Sequence, residues 1–189
     1  MVKKIVGTGV LLVLALALQA GVKMYTLKSP DGKVKLEVTA GQGIAYSLFY
    51  DGRLLLKPSR IALHTDLPEA DHWENIRITG TKQRHVSETV QAPFYRVKEF
   101  GIDCNELELR LNNGFSLLMR AYNDGMAYRF VAGRKGEMTV VEERAEFNFA
   151  DDFEAYIPYS TNPKDPWNMA FQNFYTKAPL TQYNTELPA

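Results

Sequence analysis

An all-β fold, an antiparallel sandwich of short strands, is what this sequence predicts, and three observations lead there. Apolar and polar residues alternate at period two in one short segment after another. Pro-Asp-Gly, Asp-Gly and Asn-Gly turn signals separate those segments at close intervals. From residue 24 to residue 150 no window carries the i, i+3, i+4 apolar spacing of an amphipathic helix. No segment repeats at a fixed period of about 20–50 residues, which disfavours a propeller or a solenoid.

The elements follow in order. Ser29-Pro30-Asp31-Gly32 is a turn: Pro30 presets φ, Asp31 tolerates turn geometry and Gly32 accepts positive φ. Residues 33–39 then alternate, Val34, Leu36 and Val38 against Lys35, Glu37 and Thr39, as a half-buried strand does. Residues 45–50 form the next strand, Asp51-Gly52 a two-residue hairpin loop and 54–57 its return. A separate strand is expected over 60–65, with Ile61 and Leu63 on one face. Further strands are expected over 75–80, 84–90 and 94–100. Residues 106–111 alternate strictly, with Leu107, Leu109 and Leu111 on the apolar face and Glu106, Glu108 and Arg110 on the polar one. Asn112-Asn113-Gly114 turns the chain into 115–122, Asn123-Asp124-Gly125 turns it into 126–132, and 138–149 follows with Val140, Val141, Phe147 and Phe149. Asp151-Asp152-Phe153 is turn-like, and 156–178, rich in aromatics, Asn and Pro, is expected to be a long ordered loop of the kind that carries function. The pattern stops at Ala189 without a closing strand. The sandwich is therefore expected to be truncated at its C-terminal end, with unpaired edges and an apolar face that promote self-association.

Composition bounds the possibilities further. Apolar residues at 46% and aromatics at 12% of 189 residues describe a globular chain, not a disordered one. Lys3 and Lys4, the apolar run 5–18 and the small residues Ala15, Ala17 and Ala20 form a signal-peptide pattern, with cleavage expected after Ala20 and Ala17 as the alternative. The run is too short to span a bilayer comfortably, so no permanent membrane span is expected. Residues 21–189 then make one exported domain, periplasmic or secreted, with a core large enough to need no disulfide. Cys104, the single cysteine, is expected to be an inert, half-buried thiol at a strand start. Lys+Arg and Asp+Glu balance at 22 each, which argues against nucleic acid or an anionic membrane as partner and leaves room for a neutral one such as a sugar.

Catalytic signals are sparse. There is no Gly-rich phosphate loop, Gly-x-Ser-x-Gly elbow or His-Glu-x-x-His helix. His64, His72 and His85 are scattered on strand-like or loop segments. Sugar hydrolysis needs two carboxylates at a set separation, but Glu142 and Glu143 are neighbours on a strand and point to opposite faces. Asp151 and Asp152 sit in a turn, and all four carboxylates are expected to be solvated. No catalytic residue is assigned. The segment 165–175 is the sharpest binding candidate, with Trp167, Asn168, Gln172 and Tyr175 as the residues expected to face a carbohydrate. Aromatic faces stack on ring CH groups, and amides bond hydroxyls. The competing expectation is that these rings cap an open end of the core.

Several of these stretches resemble glycoside hydrolase family 97. The turn Leu27-Lys28-Ser29-Pro30-Asp31-Gly32 with its following strand is similar to the opening of that family, as is the Tyr-Asp-Gly hairpin within 46–56. The most specific stretch runs from Leu117 to Phe130: Arg120, an aromatic, Asp124-Gly125, then Ala127, Tyr128 and Arg129. The resemblance covers about residues 25–182. It implies an N-terminal antiparallel β-supersandwich of the galactose mutarotase-like kind. In the family this precedes a catalytic (β/α)₈ barrel and a small C-terminal β domain, in calcium-dependent, exo-acting α-glucosidases or α-galactosidases of the periplasm. The barrel carries the catalytic carboxylates, so this chain alone is expected to hydrolyse nothing and to serve as a domain that packs on the barrel and completes its pocket. The family's N-terminal domain lends the calcium site a Glu in an aromatic-Glu-x-x-Tyr segment. Residues 171–175 match with Gln172 at that position, which keeps a carbonyl oxygen and loses the charge. No Ca²⁺ binding is expected of this chain alone. The alternatives are a free-standing sugar-binding module and a mutarotase-like epimerase. The latter needs a His acid and a Glu base facing one substrate.

Overall fold

The alternating segments become two antiparallel sheets packed face to face. The computed structural model describes residues 23–133, 135–160, 162, 164 and 173–184. Among these the strands are β1 (Lys23–Lys28), β2 (Val34–Gly41), β3 (Gly43–Tyr50), β4 (Arg53–Thr65), β5 (Ile78–Gln91), β6 (Glu99–Leu111), β7 (Phe115–Tyr122), β8 (Gly125–Ala132), β9 (Val140–Ala145), β10 (Glu154–Ile157) and β11 (Thr176–Pro179). One sheet has the order β1-β2-β3-β4-β9, the second is the meander β5-β6-β7-β8, and β10-β11 form a separate ribbon. A single 3-10 turn, Leu180–Gln182, is the only helical element among the described residues. The all-β antiparallel class read from the sequence is the one the chain adopts.

Period-two alternation explains the core. Val34, Leu36, Val38 and Ala40 of β2 are buried against Leu107, Leu109, Leu117 and Met119 of β6 and β7, with Ile44, Tyr46 and Ile61 alongside. The segment between β4 and β5 closes one end of this core with Ala70, Trp73 and Ile76. Trp73 donates its indole N–H to the Leu63 carbonyl at 3.2 Å and packs against Phe115 and Phe130, ring centroids 6.1 and 5.4 Å away. Asp51 and Gly52 take φ of 48° and 80° and join Tyr50 to Arg53, a two-residue loop whose hand of twist matches its strands. Side-chain bonds join the sheets at the β1 end. Gln83 Nε2 donates to the Thr26 carbonyl (2.9 Å), Asn105 Nδ2 to the Lys28 carbonyl (2.8 Å), and the Asp31 N–H to Asn123 Oδ1 (3.0 Å). The last bond links the two turns that carry the family resemblance.

Several boundaries differ from the sequence expectation, each for a local reason. Segments 54–57 and 60–65 are one strand, β4. Two residues, Lys57 and Pro58, stand opposite Ser47 in a bulge, so the proline's missing N–H breaks no ladder bond. Segments 75–80 and 84–90 likewise merge into β5. Residues 94–98 are a hairpin tip, not a strand, closed by the Ala92 N–H donating to the Lys98 carbonyl at 2.7 Å. Cys104 lies well inside β6 and is fully buried, not half-buried at a strand start. Only 140–145 of the expected 138–149 strand is regular, with Phe149 forming an isolated bridge to Leu56. The expected loop 156–178 has strand at both ends, where β10 pairs with β11.

Candidate functional site

The cross-strand row Arg84–Glu106–Arg120–Ala127 runs over β5 to β8 on the face turned away from Leu107 and Leu109. Strand alternation predicts a solvated Glu106, but the structure buries it to 4% exposure. Arg84 Nε and Arg120 Nε each donate to one of its oxygens at 2.7 Å. Burial pushes the Glu106 carboxyl up; the hydrogen bonds and charges of the two arginines outweigh it, so the group sits below the usual carboxylate range. Arg120 is in turn held above its ordinary value by Tyr122 and by Glu106. A carboxylate held ionised, with both oxygens committed to guanidinium groups, is neither a general acid nor an available nucleophile. Its role is to fix three strands.

A surface groove of about 500 Å³ lies beside this row, lined by Lys28, Gln83, Arg84, His85, Asn105 and Glu106 among others. Its amides are committed to β1. His85 is held between Asn105 and Asp103, with both contacts at 3.1 Å. A smaller depression of about 180 Å³ lies over Leu118, Arg120, Tyr122, Ala127 and Arg129. The first is lined by no Phe, Tyr or Trp, and the two tyrosines of the second, Tyr122 and Tyr128, are half-buried, with Tyr128 bonded to Glu143; neither presents the flat exposed ring that stacking on a sugar requires.

Of the sequence-predicted carbohydrate-facing residues, Trp167, Asn168 and Gln172 lie outside the described residues. So does the expected metal position, again Gln172. Tyr175 is 65% exposed, follows the fully exposed Phe174, and leads into β11. Tyr156, on the facing strand β10, is exposed too, with Lys177 Nζ 5.7 Å from its ring centroid. The histidines are engaged structurally: His64 Nδ1 lies 2.8 Å from Asp71, and His72 lies 3.4 Å from the Pro68 carbonyl. Glu143 accepts the Tyr128 hydroxyl at 3.0 Å, and burial together with that bond raises the phenol above its ordinary value. Asp151 pairs with Arg53 at 2.9 Å, and Asp152 accepts the Thr181 N–H and hydroxyl. Among the described residues no group of three or more His, Cys, Asp or Glu could hold a metal ion, and no helix is long and apolar enough to cross a membrane. Sequence reasoning missed Glu106 and Trp73. The only signal for Glu106 was Arg120, which lies on the neighbouring strand and inside the resembling motif.

Comparison with known proteins bears on these features. A family profile described as "Glycosyl-hydrolase 97 N-terminal" matches residues 27–189. The chain is 38% identical over 177 residues to a retaining alpha-galactosidase of Bacteroides thetaiotaomicron, covering 90% of this chain and 26% of the relative. Its fold is similar to that of a beta-arabinopyranosidase (TM-score 0.69, 22% identity, 80% of this chain and 26% of that one). It is also similar to a glycoside hydrolase family 97 enzyme of Pseudoalteromonas sp. strain K8 solved with panose (TM-score 0.65, 16% identity, 84% and 25%). The chain spans about a quarter of the length of the curated relatives it matches.

Proposed function

The chain belongs to the N-terminal domain family of glycoside hydrolase family 97, and on that premise we propose that it is a non-catalytic domain that packs on a catalytic (β/α)₈ barrel and shapes one side of its sugar pocket. The observation that carries this is the span of the match: one family domain fills residues 27–189, while relatives such as the retaining alpha-galactosidase are about four times as long. A barrel takes at least about 200 residues of alternating strand and helix, and the described residues contain strands and a single 3-10 turn, with no α-helix. The substrate of the whole enzyme is an α-galactoside, by the relative at 38% identity, with α-glucosides as the alternative. The chain is exported to the periplasm or beyond, by the signal-peptide pattern of residues 1–20. Tyr175, with Trp167, Asn168 and Gln172, faces the sugar.

The purified chain is expected to release no product from an aryl α-galactoside and to run unretarded in gels containing starch or galactomannan. Clear retardation without turnover would favour a free-standing sugar-binding module. Steady turnover would overturn the non-catalytic assignment outright. The family resemblance implies a calcium-ligating Glu at the position of Gln172, and a neutral amide oxygen is a weak replacement for a carboxylate. Calorimetric titration of the chain with Ca²⁺ is therefore expected to give no saturable heat.

A further inference from the structure

We propose that the outer half of the β5–β6 hairpin is an arm that lays its apolar side on the polypeptide following this domain in the longer relatives. The inference rests on the barrel-packing assignment above and names the element that makes the contact. β7 pairs with β6 only from Asn105 to Arg110. Beyond that, β5 and β6 continue as a two-stranded ribbon through the pairs Ser87↔Asp103, Glu88↔Ile102, Thr89↔Gly101, Val90↔Phe100 and Gln91↔Glu99. At roughly 3.3 Å per residue it projects about 17 Å past the third strand. A lone two-stranded ribbon is marginal in water, and this one is amphipathic.

Val86, Val90, Phe100, Ile102 and Cys104 share one side, with Glu88 the one charged residue among them; Ser87, Thr89, Gly101 and Asp103 share the other. Burial along the apolar side falls toward the tip. Val86 and Cys104 are buried, Val90 and Phe100 are each 41% exposed, and Phe94 in the tip is fully exposed. Tyr95 sets its ring edge-on to Phe100, centroids 6.1 Å apart. Such one-sided alternation marks a sheet face built to be covered. Period two makes that side continuous with the face bearing Arg84, Glu106 and Arg120. There Lys82, Arg84, Arg110, Arg120 and Arg129 outnumber Glu88, Glu106 and Glu108. The covering surface is accordingly apolar at its centre and acidic at its rim.

The occupant is the tethered remainder of the enzyme. This domain family is N-terminal, and the matched part is 26% of the retaining alpha-galactosidase, so most of the relative follows it. A tether supplies a high effective concentration, so a small apolar contact suffices.

The test compares thiol labelling on the two sides of the arm. Val90→Cys and Ser87→Cys are made in the chain itself. They are also made in a chimera in which residues 23–189 replace the matched part of the Bacteroides retaining alpha-galactosidase. Buried Cys104 contributes little background. In the chimera Val90→Cys is expected to react with a maleimide about tenfold or more slower than in the chain alone, while Ser87→Cys reacts equally in both. Phe100→Cys against Thr89→Cys repeats the comparison should either first variant melt early. Three results overturn the inference. Equal labelling of Val90→Cys in a chimera whose halves stay together after the junction is clipped removes the arm contact but leaves domain packing standing. Separation of the halves on clipping removes both. Protection already present in the chain alone, and lost on dilution, assigns the face to a second copy.

Discussion

Glu106 shows what one residue contributes. A carboxylate at 4% exposure costs several kcal/mol to desolvate unless it is paired, and Arg84 and Arg120 pair it. Glu106→Gln leaves two guanidinium groups facing a neutral amide and is expected to cost about 2–3 kcal/mol in urea unfolding. Its pH dependence has a definite sign. The folded carboxyl lies below its unfolded value, so the stabilisation is complete above about pH 5. It is lost as the pH falls through the lowered folded value, and Glu106→Gln should flatten that acid limb of the stability curve. Trp73, buried among Phe115, Phe130 and the Leu63 carbonyl, is the other costly position; Trp73→Ala is expected to lose about 3–5 kcal/mol. Neither role was legible in sequence. Alternation assigns Glu106 to solvent, and its partners stand 22 and 14 residues away.

Among the elements, hairpins were read accurately where turn stereochemistry is local. Asp51-Gly52 needs positive φ at both positions, and only glycine takes 80° without a Cβ penalty. Gly52→Ala meets open space yet is expected to cost about 1–2 kcal/mol, measured as a lowered thermal midpoint. Strand continuity was read less well. The strands expected over 54–57 and 60–65 are one, because the bulge opposite Ser47 absorbs the missing N–H of Pro58 between them. Gly80 also looked like an end. In the structure the Arg110 guanidinium lies where a Gly80 side chain would stand, 2.8 Å from an added Cβ. The strand expected over 94–100 begins only at Glu99, and Phe94, Tyr95 and Val97 belong to an exposed hairpin tip.

Across the molecule one core joins both sheets, and Asp31–Asn123, Gln83–Thr26 and Asn105–Lys28 bond them at one end. Unfolding is therefore expected to be a single transition. In a Trp167→Phe background Trp73 fluorescence and far-ultraviolet circular dichroism should report the same midpoint, and two separated midpoints would contradict a shared core. Millimolar calcium is expected to leave that midpoint unchanged, since binding to the folded chain would raise it.

By itself the sequence determined the fold class, the main turns and the residues turned toward the core. Those follow from period-two alternation and from the φ preferences of Pro, Asp and Gly, which act within a few residues. It also carried the family resemblance, through Ser29 to Gly32 and Arg120 to Arg129. Only the tertiary structure decided that Glu106 is buried between two arginines, that Trp73 closes the core and that β5 and β6 outrun their neighbour. Each depends on which strands pair and where the pairing stops, and that is set by residues far apart in the chain.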